Sequence, residues 1–137
     1  RRDVMWGRAL GYGEPDSVRL LRLARKGKGT WVRPVHEVWS VPGPVATLET
    51  PLYHAPHPDV AHFLSDINCY STINAKHLYD TGVRVSWWRI AVYPVAKFFL
   101  NYIVRKGFLD GMPGLIVALM MSFHSFLTRG KLWKLQH

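Results

Sequence analysis

The sequence is poor in cysteine, in acidic residues and in long apolar runs. Its one cysteine, Cys69, excludes an internal disulfide, and the lack of a CxxC pair argues against a structural zinc site. The most apolar stretch, "GLIVALMMSFHSFL", has roughly fourteen residues, fewer than the ~20 that cross a bilayer core. No start methionine or apolar leader precedes Arg1. We therefore expect an internal fragment of a protein in a reducing, cytosol-facing location.

The scarcity of acidic residues leaves the chain strongly basic. Eighteen Lys and Arg stand against nine Asp and Glu, a formal net charge of +9. Such an excess is either solvated or neutralised by an anionic partner. The cations are interleaved with apolar helical segments and no DNA or RNA motif is present, so we expect no nucleic-acid partner. Anionic lipid and phosphorylated substrates remain.

Two kinds of segment follow each other along the chain. Residues 1–57 are rich in Gly, Pro and short β-prone runs, and we expect short strands and loops there. Residues 58–82 carry apolar side chains at helical spacing, with Asp59 at the start and Gly82 at the end, which predicts an amphipathic helix. The sequence thus predicts an α+β chain with a boundary near residue 57, dividing 1–57 from 58–137.

Two further helices are predicted after residue 82. The first covers 86–107, with Ser86 as its cap, and Pro94 should kink or split it near Val92 and Tyr93. The second begins around 111–113 and leads into the basic ending "TRGKLWKLQH". We expect these last two helices to be amphipathic or to lie at a membrane interface.

The membrane prediction depends on aromatic and cationic residues that share these helices. Aromatic rings at the headgroup boundary keep an apolar body in lipid and a polar tip in water, while cations meet anionic headgroups. Ordinary core packing within a larger soluble enzyme is the alternative, and a re-entrant hairpin is another. The predicted interface residues are Trp87, Trp88, Arg89, Tyr93, Lys97, Phe98, Tyr102 and Trp133.

Candidate chemical groups lie in the N-terminal part. Glu37 in "WVRPVHEVWSVPG" can act as a general base, with His36 beside it, although a surface pair is the more common situation of such residues, because charged side chains are mostly exposed. His54 in "PLYH" can bind a divalent metal or a diphosphate, or serve a structural role. Arg19 and Arg22, in a basic run, can hold phosphate oxygens or form a solvated face.

Several segments, taken in order, resemble the C-terminal half of family 2 glycosyltransferases of the lipopolysaccharide-core and cell-envelope type. They are "RLLRLARKGKGTW", "VHE", "PLYH", "INCYSTINAKHLYDTG", "YPVAKFFLNYIVRKGFLDGMPGL" and "SFHSFLTRGKLW". The resemblance implies a GT-A fold, of which residues 1–57 would form the C-terminal edge of the sheet. It places Glu37 at the base position, where "HE" replaces the family's "ED", and His54 at the position of a late histidine of the metal site.

The same resemblance implies the activity and the surroundings of the complete protein. An acceptor hydroxyl would attack a nucleotide-sugar with inversion, aided by Mg²⁺ or Mn²⁺, and the donor-binding Asp-x-Asp half is missing from these residues. The fragment alone should be inactive. The acceptor would be a glycan or a lipid-linked sugar. The protein would lie at the cytoplasmic face of the inner membrane, bound peripherally or monotopically. A non-catalytic, basic membrane-binding adaptor is the alternative.

Overall fold

A computed structural model describes residues 1–15, 19–32 and 38–137. Its strands are β1 (Arg2–Met5), β2 (Arg8–Ala9), β3 (Thr30–Val32), β4 (Val38–Ser40) and β5 (Tyr53–His54). Its α-helices are α1 (Val60–Asp80), α2 (Trp87–Phe99) and α3 (Gly111–Gln136), with a π-helical segment at Leu100–Val104 and a 3-10 turn at Gly107–Asp110. The predicted α+β class, with short strands before three helices, is confirmed.

The strands form two small sheets. β1 lies between β2, which is antiparallel to it, and β5, which is parallel to it. Trp6 and Gly7 join β1 to β2 with positive φ angles of 48° and 83°, as the tightest hairpin turns require. β3 and β4 form a separate antiparallel pair, in which the Trp31 and Trp39 rings stack 5.7 Å apart.

Helix α1 begins and ends as the sequence predicts. Asp59 adopts an extended conformation, and its side chain accepts a hydrogen bond of 2.6 Å from the backbone N–H of His62. At the other end Gly82 has a φ of 82°, the left-handed conformation that commonly follows a helix. These two local signals fix the limits of the helix without help from the rest of the chain.

The sequence predicted a kink or a split near Val92 and Tyr93. Helix α2 passes through Pro94 as one element, so the split is wrong and the kink stays a prediction. Pro94 is buried, and its carbonyl accepts a 2.7 Å hydrogen bond from Ser122 Oγ on α3. The helical geometry departs from α only later, at the π-helical segment 100–104. Packing against α3 therefore holds the helix together at the position where propensity alone favours a break.

Helix α3 is longer than its apolar stretch suggested, because it continues through the basic ending to Gln136. Its 26 residues make it about 39 Å long at 1.5 Å per residue. Residues 107–136 form a helical stretch long and apolar enough to cross a membrane, by length and composition alone. This corrects the expectation of a helix too short to span, although the core helix of a soluble protein meets the same test.

One apolar core joins the N-terminal strands to the helices. Its buried members are Met5, Leu10, Phe63, Ile67 and Val117, with Met120, Met121 and Leu127 packed against them. The core thus contains residues from both sides of the predicted boundary at residue 57. The division into 1–57 and 58–137 stays a prediction.

Asp110 ties the N-terminal segment to the start of α3. Its carboxylate is 3% exposed and accepts hydrogen bonds from the backbone N–H groups of Gly11, at 3.1 and 3.2 Å, and Tyr12, at 2.9 Å. Nearby, Glu14 accepts a bond from Asn101 Nδ2 at 3.0 Å and pairs with Lys97 at 2.9 Å. Polar contacts more than 80 residues apart along the chain therefore position the segment that follows β2.

Lys131 on α3 forms hydrogen bonds to α1. Its ammonium nitrogen lies 2.6 to 2.8 Å from four oxygen atoms on α1, which belong to Asn68, Ser71 and Thr72. An ammonium group has three donors, so these oxygens use its full capacity. The contact acts as a polar clamp between two helices that otherwise meet through apolar side chains.

We expect Lys131→Met to lower the free energy of unfolding by about 2 kcal/mol, because hydrogen bonds to charged groups contribute ~1.5–3 kcal/mol and the four oxygen atoms on α1 lose their shared donor. The matched control is Lys134→Met, an exposed lysine on the same helix, which should change stability by less than about 0.5 kcal/mol. Chemical denaturation followed by circular dichroism measures both. Equal stabilities for the two variants would contradict the clamp.

Candidate functional site

The predicted general base and its neighbour, Glu37 and His36, lie outside the described residues. The described chain stops at Val32 on β3 and resumes at Val38 on β4, and these two residues are register partners. Glu37 is thus covalently attached to the first residue of a paired strand. Its catalytic role stays a prediction.

His54, the predicted metal ligand, lies at the parallel contact between β5 and β1. Its register partner is Asp3, and its Nδ1 atom lies 3.2 Å from Asp3 Oδ1. Asp3 is buried and also pairs with Arg1, whose Nε lies 2.8 Å away. The structure therefore gives His54 a carboxylate neighbour that the sequence did not indicate, since the two residues are 51 positions apart.

These groups do not assemble a metal site by themselves. Across residues 1–15, 19–32 and 38–137, no group of three or more His, Cys, Asp or Glu side chains gathers in a way that could hold a metal ion. His54 and Asp3 would supply two donors, fewer than the six oxygens that Mg²⁺ prefers. The described residues thus do not complete a site for the expected cation, which stays a prediction.

A second histidine–carboxylate group lies at the start of α1. His57 Nδ1 is 3.0 Å from Asp66 Oδ2, His62 Nε2 is 3.5 Å from the same oxygen, and the His57 ring stacks on Phe63 at 3.9 Å. Burial lowers the pKa of His57 below its ordinary value, against the opposing attraction of Asp66. Through Asp66 and Phe63, His57 connects the β5–α1 segment to the apolar core.

The two arginines predicted to bind phosphate, Arg19 and Arg22, are exposed. Solvent exposure leaves their guanidinium groups accessible to an anion, but it also suits a solvated basic face. Their role stays a prediction.

The predicted interface residues on α2 and α3 separate into exposed and packed side chains. Trp87 is 77% exposed, and Trp88 and Trp133 are also exposed. The two elements run antiparallel, since the Gln136 side chain reaches the backbone of Val85, so the three tryptophans lie toward the same end of the helix pair. Trp87 and Trp88 are therefore not sealed within a soluble core, the outcome that would have excluded lipid contact for them.

The other predicted interface residues contact other side chains of the protein. Tyr93 lies under the Arg129 guanidinium, 4.0 Å from ring centroid to Cζ, and Lys97 pairs with Glu14. Phe98 and Tyr102 stack on each other at 5.3 Å and are half-buried. Arg89 is half-buried, with its Cζ 5.3 Å from the Trp88 ring.

No pattern in the sequence indicated that three of these residues share a cavity. Arg89, Tyr93 and Lys97 line a cavity of about 400 Å³ between the three helices, together with Arg84 and Arg129. The arginines lie on three different segments, up to 45 positions apart, so no spacing rule connects them. Only the packing of α2 and α3 brings them together.

Comparison with known proteins finds similarity to proteins named glycosyltransferases. The chain is 31% identical over 133 residues to a protein of Rhizobium meliloti named lipopolysaccharide core biosynthesis glycosyltransferase LpsC, covering 91% of this chain and 49% of that protein. It is 30% identical over 91 residues to an uncharacterized glycosyltransferase of Rickettsia bellii, and 27% identical over 90 residues to one of Rickettsia felis. Each of these two matches covers 66% of this chain.

Each match covers only part of the relative's length. The chain spans about half of the length of LpsC and about a third of the Rickettsia proteins. No protein-family model matches the sequence, and no solved structure matches it. The predicted kinship to glycosyltransferases is nevertheless confirmed, because every relative named above carries that name and the similarity to LpsC runs through nearly all of this chain. By this partial similarity the chain is related to proteins named glycosyltransferases.

Proposed function

We propose that the chain is the C-terminal part of an inverting, family 2-like glycosyltransferase that moves a sugar from a nucleotide-sugar to a cell-envelope glycan or lipid-linked acceptor. The observation that carries the proposal is the similarity to LpsC over 91% of the chain, since the name of that protein states lipopolysaccharide core biosynthesis. In this proposal β1, β2 and β5 belong to the C-terminal edge of a GT-A sheet, and the donor-binding half lies elsewhere in the complete protein.

The proposed chemistry assigns Glu37 as the general base and His36 as its neighbour. The acceptor oxygen attacks the anomeric carbon, the bond from that carbon to the diphosphate oxygen breaks, and the hydroxyl proton passes to the Glu37 carboxylate. The nucleoside diphosphate leaves with the electron pair of the broken bond.

Arg19, Arg22 and His54 would contact the substrates in this proposal. The exposed Arg19 and Arg22 hold phosphate oxygens of donor or acceptor, for which the guanidinium fork is well suited. His54 lies on β5, where its Nδ1 atom contacts the carboxylate of Asp3 on β1. A divalent cation in the complete protein stays a prediction, and its remaining ligands would come from outside the described residues.

The complete protein would work at the cytoplasmic face of the inner membrane. Exposed Trp87, Trp88 and Trp133 lie toward one end of the helix pair, close to basic side chains, which is the combination found at headgroup boundaries. The length of α3 would also allow deeper insertion. A lipid-linked acceptor would then be presented at the same surface as the enzyme.

The test is a transfer assay with the complete protein, a panel of nucleotide-sugars and lipopolysaccharide-core acceptors in detergent or vesicles. We expect transfer with one donor class and inversion at the anomeric carbon, read by NMR of the product. Retention of configuration would contradict the inverting mechanism. Binding to anionic vesicles with neither transfer nor donor hydrolysis would favour the non-catalytic adaptor instead.

A further inference from the structure

The cavity between the three helices is lined by cations from separate elements. Arg84 follows α1, Arg89 and Lys97 lie on α2, and Arg129 lies on α3. Glu14 is the one carboxylate among the lining residues, and Lys97 pairs with it at 2.9 Å. The volume of about 400 Å³ falls within the ~300–1,000 Å³ of small-molecule sites.

The three arginines have no carboxylate partner among residues 1–15, 19–32 and 38–137. Arg84 donates to the carbonyls of Tyr79 and Val83, and Arg129 donates to Ser125, so their fixed contacts are neutral groups. Like charges held close together repel, and the repulsion is stronger where water is partly excluded. An anion bound among these cations would offset their mutual repulsion.

Two buried polar atoms of residues at the cavity also favour an anionic ligand. Thr128 is 4% exposed, and its Oγ1 atom has no hydrogen-bond partner within the described part of the chain. The Nε atom of Arg89 is likewise buried and unpartnered there. Buried polar atoms are rarely left without a partner, because the cost is about 1–3 kcal/mol each. Both atoms are closed off from the cavity in this conformation, but both belong to residues that line it and can donate a hydrogen bond once the side chain rotates toward a ligand.

We propose that this cavity binds a phosphate group, either a phosphomonoester or a diphosphate, between Arg84, Arg89 and Arg129, with Thr128 Oγ1 as a further donor. Three arginines match an anion of two or more charges better than a single carboxylate, and guanidinium groups pair with phosphate oxygens in bidentate fashion. The group belongs either to a membrane lipid, since Trp87 and Trp88 flank Arg89, or to a soluble phosphate compound. The proposal does not depend on glycosyl transfer.

The first experiment measures binding by the complete protein of two probes: inorganic pyrophosphate in solution, and phosphatidylcholine vesicles with and without phosphatidic acid. We expect Arg129→Gln to weaken binding of at least one probe about tenfold or more, through loss of a charge-assisted contact. The matched control, Lys134→Gln, removes an exposed cation five positions further along α3 and should change binding less than about twofold. Binding of pyrophosphate identifies a soluble ligand, and binding of phosphatidic acid vesicles alone identifies a lipid headgroup.

A second variant keeps the test decisive if Arg129→Gln folds poorly, since Arg129 also bonds to Ser125. Thr128→Val replaces the unpartnered hydroxyl with a methyl group of nearly the same size. We expect it to raise the thermal unfolding temperature without ligand, because a buried polar atom is removed, and to weaken phosphate binding about threefold or more. Unchanged binding of both probes in Arg129→Gln and Thr128→Val would overturn the proposal, whatever the result of the transfer assay.

Discussion

Replacing Glu37 by Gln in the complete protein is expected to lower the rate of sugar transfer by about 10²–10⁴-fold, the usual contribution of a positioned general base. The amide keeps the size of the side chain and loses its ability to accept the acceptor proton. Binding of donor and acceptor should change little, so the loss should appear in kcat and equally in kcat/KM. Steady-state kinetics with a labelled nucleotide-sugar measures both parameters.

Two further variants make the result for Glu37 specific. Glu49→Gln removes an exposed carboxylate from the same N-terminal region and should retain nearly full activity. His36→Asn decides between the two neighbours, because the resemblance to family 2 enzymes places "HE" where "ED" is usual. We expect the smaller loss in His36→Asn. A Glu37→Gln enzyme that turns over at the rate of Glu49→Gln would remove Glu37 from the mechanism.

Removing the Asp110 carboxylate should cause the largest loss of stability among the described residues considered above. In Asp110→Ala the backbone N–H groups of Gly11 and Tyr12 lose a charged acceptor, and such bonds contribute ~1.5–3 kcal/mol each. We expect the free energy of unfolding to fall by about 3 kcal/mol or more, a large fraction of the stability of a typical domain. Urea denaturation followed by tryptophan fluorescence measures the change.

The control for Asp110 is Asp80→Ala, an exposed carboxylate at the end of α1, which should shift stability by less than about 0.5 kcal/mol. Asp110→Asn retains one acceptor oxygen and should give an intermediate loss. If Asp110→Ala and Asp80→Ala unfold at the same urea concentration, Asp110 does not hold the N-terminal segment in place.

A glycine next to this site shows how closely the chain is packed there. A Cβ atom on Gly114 would collide with the carbonyl oxygen of Gly107 and approach Asp110 Cβ to 2.9 Å. Gly13, at a φ of 75°, lies beside the Gly107 backbone in the same region. Gly114 thus lets the first turn of α3 pack against Gly107, and Gly13 brings the segment after β2 beside the same turn.

Local features of the sequence predicted those parts of the structure that depend only on neighbouring residues, such as the ends of α1. Asp59 and Gly82 marked the ends of α1 correctly, because a helix cap is satisfied by groups within a few positions. The same locality made Pro94 misleading: the backbone rule for proline favours a break, and packing of α2 on α3 outweighs it. The end of α3 was missed in the same way, since a basic ending after an apolar stretch carries no local stop signal before Gln136.

The sequence by itself determined the α+β order, the basic character and the kinship to glycosyltransferases, because composition, periodicity and aligned residues are properties of the chain alone. Tertiary structure decided which distant groups meet: Asp110 with Gly11, His54 with Asp3, and Arg84 and Arg89 with Arg129. Those meetings depend on how the helices pack against one another, and side chains tens of residues apart leave no periodic trace in the sequence.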